Sequence, residues 1–83
     1  MHDHDILARL KRIEGQIRGI QKMIEDQRGC DEVLAQLMSA RTALDGAAAT
    51  LVTSYVDECL TEKAPEEARR EIGRAVKLLS RVG

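Results

Sequence analysis

Isoleucine and leucine recur early in the chain at Ile6, Leu10, Ile13, Ile17, Ile20 and Ile24. The alternating steps of four and three residues place them on one stripe of a first helix. Arg28-Gly29 predicts its end, with Gly29 as a left-handed cap. A second helix is predicted from about Asp31 to about Glu62, with Leu34, Leu37, Leu44, Ala48, Leu51 and Tyr55 on its apolar face. Small residues crowd Ala43 to Thr50, Gly46 among them, and allow helices to approach closely there. Ala64-Pro65-Glu66-Glu67 starts a third helix, with proline at its first position and two acids in its first turn. Ala68, Ile72, Ala75, Val76 and Leu79 are expected to face inward from it. No strand pattern or long linker appears. The pattern predicts an all-α protomer of three helices, a single domain over residues 1–83.

Composition adds a constraint. The chain has 83 residues, no Trp or Phe, and a single Tyr, Tyr55. A monomer of this size buries little apolar surface, and here the large aromatic side chains are missing. A helix of about thirty residues in so short a chain reads as an extended hairpin that needs a partner, and oligomerisation is the natural remedy. Net charge is −1, which argues neither for nor against nucleic acid. No membrane-spanning run or signal-peptide core is present, so a cytoplasmic protein is expected. Two cysteines in a reducing compartment point to metal binding, catalysis or redox sensing rather than to a permanent disulfide.

Those cysteines, Cys30 and Cys59, lie 29 residues apart on the second helix. At about 100° per residue they share one face to within about 20°, and the helical rise separates them by roughly 43 Å. They cannot meet within one chain. An antiparallel copy of the helix would bring Cys30 of one chain to Cys59 of the other at both ends, giving a homodimer with two equivalent two-thiol sites. Cys30, at a helix N-terminus beside Arg28, is placed to favour thiolate, whereas Asp57 and Glu58 disfavour it at Cys59. Cys30 is therefore expected to be the nucleophile and Cys59 of the partner the resolving thiol. The plainer alternatives are two small buried hydrophobes, or a helical hairpin with adventitious thiols. Two thiolates also suit Cu(I), usually with a third ligand. Tyr55, one turn before Cys59, is a poor one. His2 and His4, the only histidines, sit in an N-terminal segment that reads as a solvated end.

Lys11, Arg18 and Lys22 form a line on the first helix away from its apolar stripe, flanked by Arg9 and Arg12, and Arg41 projects from the second helix. Arg69, Arg70, Arg74, Lys77 and Arg81 crowd the third. Such stripes are often only solvated faces. Repeated by symmetry in an oligomer, they make a positive surface suited to phosphate backbones, although no helix-turn-helix or zinc finger is present. No set of base, orienting acid and oxyanion donors suggests an enzyme, and no cofactor is implied. A thiol enzyme, a sulfur carrier and a purely structural helical oligomer stand as rivals.

The run Arg9-Leu10-Lys11-Arg12-Ile13-Glu14-Gly15-Gln16-Ile17-Arg18-Gly19-Ile20 resembles the signature of the copper-sensitive operon repressor (CsoR) family. Met23-Ile24-Glu25, Cys30, Val33-Leu34, Gln36 and Ala43-Leu44 extend the resemblance over nearly the whole chain. It implies an all-helical protomer whose long second helices pair antiparallel into a dimeric four-helix bundle, two of which make a disc-shaped tetramer. It also implies operator DNA as partner, released when an inducer reacts between subunits, with Arg9 matching a DNA-contacting arginine. A late helix-two arginine of the family falls on Gly46. Copper sensors carry a His four residues before the second Cys, where this chain has Tyr55. The nickel/cobalt branch has His in place of the second Cys, and the formaldehyde branch uses an N-terminal Pro and the middle His. Two cysteines without that His, with Glu71-Ile72, Ala75-Val76 and Leu78-Leu79 in the tail, are similar to the persulfide-sensing branch, the CsoR-like sulfurtransferase repressors. That likeness implies Cys30 and Cys59 as the sulfur-sensing pair, and their positions on the first two helices make Arg9, Lys11, Arg12, Arg18, Lys22 and Arg41 the candidate DNA-facing cations. The alternative is a Cu(I) sensor built on the same two cysteines.

Overall fold

A computed structural model describes residues 3–81 and contains three helices, α1 (Asp3–Glu25), α2 (Cys30–Glu62) and α3 (Pro65–Leu79). His2 lies outside the described residues. None of the helices is long and apolar enough to cross a membrane. The central element is α2. α1 packs along it, α3 also packs against it, and α1 and α3 do not touch among the described residues.

The predicted stripe of α1 divides in two. Ile6, Ile13 and Ile20, seven residues apart, are buried at 9%, 5% and 5% exposure. Leu10, Ile17 and Ile24 remain open, at 40% or more. The buried half meets a seam of small residues on α2, where Ala40, Ala47 and Ser54 are also buried at heptad spacing. Small side chains on one helix and isoleucines on the other permit close approach. Gln16 Nε2 donates to the Gln36 carbonyl at 3.5 Å across the same pair. Along α2, Thr42, Thr50 and Thr53 return their hydroxyls to the carbonyls of Met38, Gly46 and Ala49, one turn earlier.

The α1–α2 turn departs from the sequence expectation. Gly29 has φ −59° and ψ 145°, and it is the N-cap of α2, which begins at Cys30. The left-handed residue is Gln27, with φ 58°. Gln27 N–H donates to the Ile24 carbonyl at 3.1 Å and Arg28 N–H to the Met23 carbonyl at 3.0 Å. This pair of bonds is the Schellman closure of α1, achieved without glycine at the left-handed position. At the other end, Ala64 precedes a proline and is extended (φ −62°, ψ 146°), which stops α2 and lets Pro65 start α3.

On α3 the inward expectation holds for Ala68, which is buried, and partly for Ile72 and Ala75. Val76 and Leu79 are instead exposed, at 49% and 43%. Among the described residues no helix covers them, because α1 does not reach α3. The protomer measures 54 × 26 × 12 Å along its principal axes, a single helix layer. Its radius of gyration is 16.7 Å, whereas a compact domain of this length has one of about 12 Å.

Replacing Gln27 by glycine removes the steric cost of a left-handed side chain and should stabilise the fold by about 0.5–1 kcal/mol. Thermal unfolding of Gln27→Gly at fixed protein concentration should show a raised Tm. An unchanged or lowered Tm would show that the turn is not strained.

Candidate functional site

The two thiols occupy opposite ends of α2 and unlike surroundings. Cys30 is the first residue of the helix and is exposed. Arg28 does not stand free beside it, because its Nη2 pairs with Glu32 Oε2 at 2.6 Å. Cys59 is buried, with 0% exposure, beneath the start of α3. The carboxylate that reaches it comes from α3. Cys59 Sγ donates to Glu71 Oε2 at 3.7 Å, a sulfur-length hydrogen bond.

Three donors converge on that one oxygen. Tyr55 Oη donates to Glu71 Oε2 at 3.1 Å, and Lys63 Nζ at 2.5 Å in a salt bridge. Tyr55 and Cys59 lie one turn apart on one face of α2, and Lys63, four residues further on, is the residue that caps its C-terminus. A single carboxylate from α3 clasps all three. The hydrogen bond from Lys63, and after it those from Tyr55 and Cys59, holds Glu71 below its ordinary value of 4.5, against the opposing effect of burial. The same bond raises Lys63 above 10.5. Hydrogen bonding to Glu71, and then burial, raises Tyr55 above 10.0. Tyr55 is thus a committed donor. Sequence reasoning placed Tyr55 and Cys59 together but missed Glu71 and Lys63 as their partners. The i, i+4, i+8 spacing of Lys63 was the available signal.

Next to this clasp, Ala48, Leu51, Val52, Tyr55, Ala75, Leu78 and Leu79 line an open apolar concavity between α2 and α3. Leu34, Leu37 and Leu44 continue the exposed apolar surface along α2 toward Cys30. The face of α2 that carries both cysteines is therefore open from Cys30 to Leu44 and covered by α3 at Cys59.

All six candidate DNA-facing cations are exposed, but the fold does not gather them into one group. Arg9 and Arg12 line a shallow groove between α1 and α2 with Gln16, Thr42 and Gly46. A Cβ on Gly46 would stand 4.0 Å from Arg9 Nη1. Lys11, Arg18 and Lys22 follow another edge of α1, where Arg18 pairs with Glu14 at 2.7 Å and Lys22 with Asp26 at 3.8 Å. Both pairs are exposed and contribute little to stability. Arg41 belongs to neither group. Helical rotation places it on the cysteine face of α2. Among the described residues no three His, Cys, Asp or Glu side chains cluster to hold a metal ion, and His4 is exposed at the start of α1.

A flat helical layer, thiols at both ends of its central helix and a cationic first helix together define a small all-α protein with an open apolar surface along α2. The chain belongs to the metal-sensitive transcriptional repressor family, whose pattern it matches over residues 2–81. It is 40% identical over 58 residues to the copper-sensing transcriptional repressor RicR of Mycobacterium tuberculosis, a match that covers 70% of this chain and 60% of that protein. It is also 40% identical over 57 residues to the copper-sensing transcriptional repressor CsoR of Bacillus subtilis, covering 69% and 56%. The matched region is thus less than two thirds of either relative's length. The solved structure of the nickel-responsive transcriptional regulator InrS shares the fold with a TM-score of 0.83 and 35% identity, over 92% of this chain and 90% of that one.

The direction of each shift fixes a pH window. Glu71, lowered in the fold, supports α3 docking above pH 4.5, and that support is lost as pH falls through the lowered value. Lys63, raised in the fold, contributes fully below 10.5 and loses its contribution as pH rises through the raised value. Fluorescence of Tyr55, the single aromatic residue, should report α3 as docked at neutral pH and released in acid. Glu71→Gln should abolish the acid step. An acid step that survives in Glu71→Gln would assign it to another carboxylate.

Proposed function

We propose that this protein is a cytoplasmic DNA-binding transcriptional repressor, released from its operator when persulfide or polysulfide joins Cys30 to Cys59 of a partner subunit. The observation that carries this reading is the state of Tyr55. The position where a copper sensor would present histidine holds a phenol that donates to Glu71, so no imidazole joins the two thiols from there.

The exposed Cys30 thiolate attacks the outer sulfur of a low-molecular-weight persulfide. It takes that sulfur and expels the parent thiolate, so Cys30 becomes a persulfide. The Cys59 thiol of the partner then gives up its proton and attacks the Cys30 sulfur, expelling hydrosulfide and leaving a disulfide. If Cys59 is itself first converted to a persulfide, the same condensation leaves a trisulfide. The proton passes to water, because Glu71 is held below its ordinary value by Lys63. Because Cys59 is fully covered, cross-linking requires α3 to move aside, and the clasp on Tyr55, Cys59 and Lys63 is broken or rearranged. Sulfur chemistry is thereby tied to the position of a whole helix.

In this reading the protomers pair through the uncovered face of α2, and dimers associate into a tetramer through their remaining apolar surface. Arg9, Lys11, Arg12, Arg18 and Lys22, repeated by symmetry, contact DNA phosphates. To open a repressed operator the cross-linked state must lose on the order of 3–5 kcal/mol of DNA affinity. A Cu(I) sensor using the same two cysteines is the second reading, favoured by the copper-sensing relatives.

Intact mass and affinity for its own promoter DNA, after exposure to an organic persulfide or to Cu(I), separate the two. An inter-chain Cys30–Cys59 sulfur bridge that abolishes DNA binding is expected. Cys30→Ser should be silent, and Cys59→Ser should accept sulfur without bridging. Persulfide without effect on DNA binding, beside loss of binding with stoichiometric Cu(I), would establish the copper reading. Tyr55→His supplies the missing imidazole and should tighten Cu(I) binding at least tenfold. If wild type binds Cu(I) as tightly as Tyr55→His, the phenol is no obstacle and the preference for sulfur falls.

A further inference from the structure

We infer that Arg41 and Asp45 form two symmetry-related ion pairs across the antiparallel α2 helices and fix the register in which the cysteines meet. The inference rests on the antiparallel pairing proposed above and concerns what selects it.

Leu34, Leu37, Arg41, Ala48 and Tyr55 all lie within about 40° of the two cysteines around the α2 axis. Arg41 is thus a cation in the middle of an otherwise apolar strip whose leucines are left open by the protomer. Asp45 follows one turn later. Both side chains are exposed, and neither makes an ion pair or hydrogen bond within its own chain among the described residues. A guanidinium covered by a partner's apolar face without a counter-charge is strongly destabilising. The strip therefore needs an anion from the other chain opposite Arg41.

The cysteine register supplies one. With Cys30 opposite Cys59 of the partner subunit, Arg41 falls opposite Ala48 of the partner subunit, and Asp45 of the partner subunit lies opposite Leu44. Asp45 of the partner is then about 4.5 Å along the axis from Arg41, within reach of its side chain. Arg41 and Asp45 also lean to the same side of the strip. A two-fold axis perpendicular to the helix pair preserves that side, so the two charges meet rather than straddle the seam.

Other arrangements fail. Parallel helices in register would set Arg41 beside Arg41. An antiparallel slip of one heptad in one direction does the same, and in the other direction it carries Asp45 of the partner roughly 15 Å away. A polar pair in an apolar seam that selects one register at some cost in stability is an attested device in paired helices.

Charge reversal in two separate chains tests this. Arg41→Glu and Asp45→Arg each place like charges both within a helix and across the seam. Each alone should self-associate at least tenfold more weakly than wild type in sedimentation equilibrium. Mixed, they should form a heterodimer more than tenfold above the statistical share, since only cross-chain pairing is then complementary. Should either variant be unfolded alone, recovery of helical circular dichroism on mixing carries the same result. The inference is overturned if the single variants associate like wild type, or if the mixture gains nothing. It is also overturned if Arg41→Glu loses only DNA affinity with association intact, which would return Arg41 to the DNA surface. Peptide mapping of the persulfide-bridged wild type keeps the underlying reading separate. Cys30–Cys59 bridges without charge coupling sink the ion pairs alone, whereas Cys30–Cys30 bridges sink the antiparallel pairing and the ion pairs with it.

Discussion

A protein one helix layer thick has no interior of its own. Among the described residues, the buried ones are three isoleucines, three alanines, one serine and one cysteine. Against them stand leucines open along α2 and at the ends of α1 and α3. Burial of apolar surface is the dominant favourable term in folding, and here much of that surface is not buried within the chain. The division is orderly. α2 gives its small residues to α1 and keeps its leucines and thiols on another face. Folding of the chain thus draws on one face of α2, and the pairing proposed for two chains would draw on another, where Cys30 is open and Cys59 lies under α3.

The clasp at Glu71 shows how a thiol can report on helix packing. One carboxylate oxygen holds a phenol and a thiol from successive turns of α2 and the lysine that caps that helix, and it is a main polar tie between α2 and α3. A neutral thiol beside a carboxylate is a hydrogen-bond donor, but a sulfur-bridged cysteine has no proton to donate. Under the proposed mechanism, modification of Cys59 removes one of the three donors and also demands space where α3 sits. The coupling needs no long pathway, because sensor thiol and moving element are in direct contact.

Much of this was legible in the sequence, and the failures have physical causes. Helix number, the Pro65 start and the separation of the thiols follow from periodicity and rise, which depend on local geometry alone. The α1 cap was misplaced because composition singles out Gly29, whereas the turn closes through carbonyls whose spacing demands a left-handed residue two positions earlier, at Gln27. Val76 and Leu79 were assigned inward because an apolar face implies a partner, but not which chain provides it. Glu71 went unrecognised because its partners lie 8, 12 and 16 residues away on another helix. An acid among arginines on α3 reads locally as a surface charge.

Tyr55 carries more chemical information than either cysteine. Two thiols suit a soft metal and a sulfur bridge equally well, so Cys30 and Cys59 do not discriminate between them. A third donor does. Metal binding through the phenol would require its proton to be lost, yet hydrogen bonding to Glu71 raises Tyr55 above 10.0 and stabilises its protonated form. Recruiting it to Cu(I) would cost that proton and the bond to Glu71 together. Sulfur transfer makes no such demand, since each step needs one nucleophilic sulfur, one electrophilic sulfur and a leaving thiolate. An imidazole would bring a ligand to this position. The phenol instead fastens α3 over the second thiol, and under the proposed mechanism the same residue is a poor ligand for metal and a structural part of the sulfur switch.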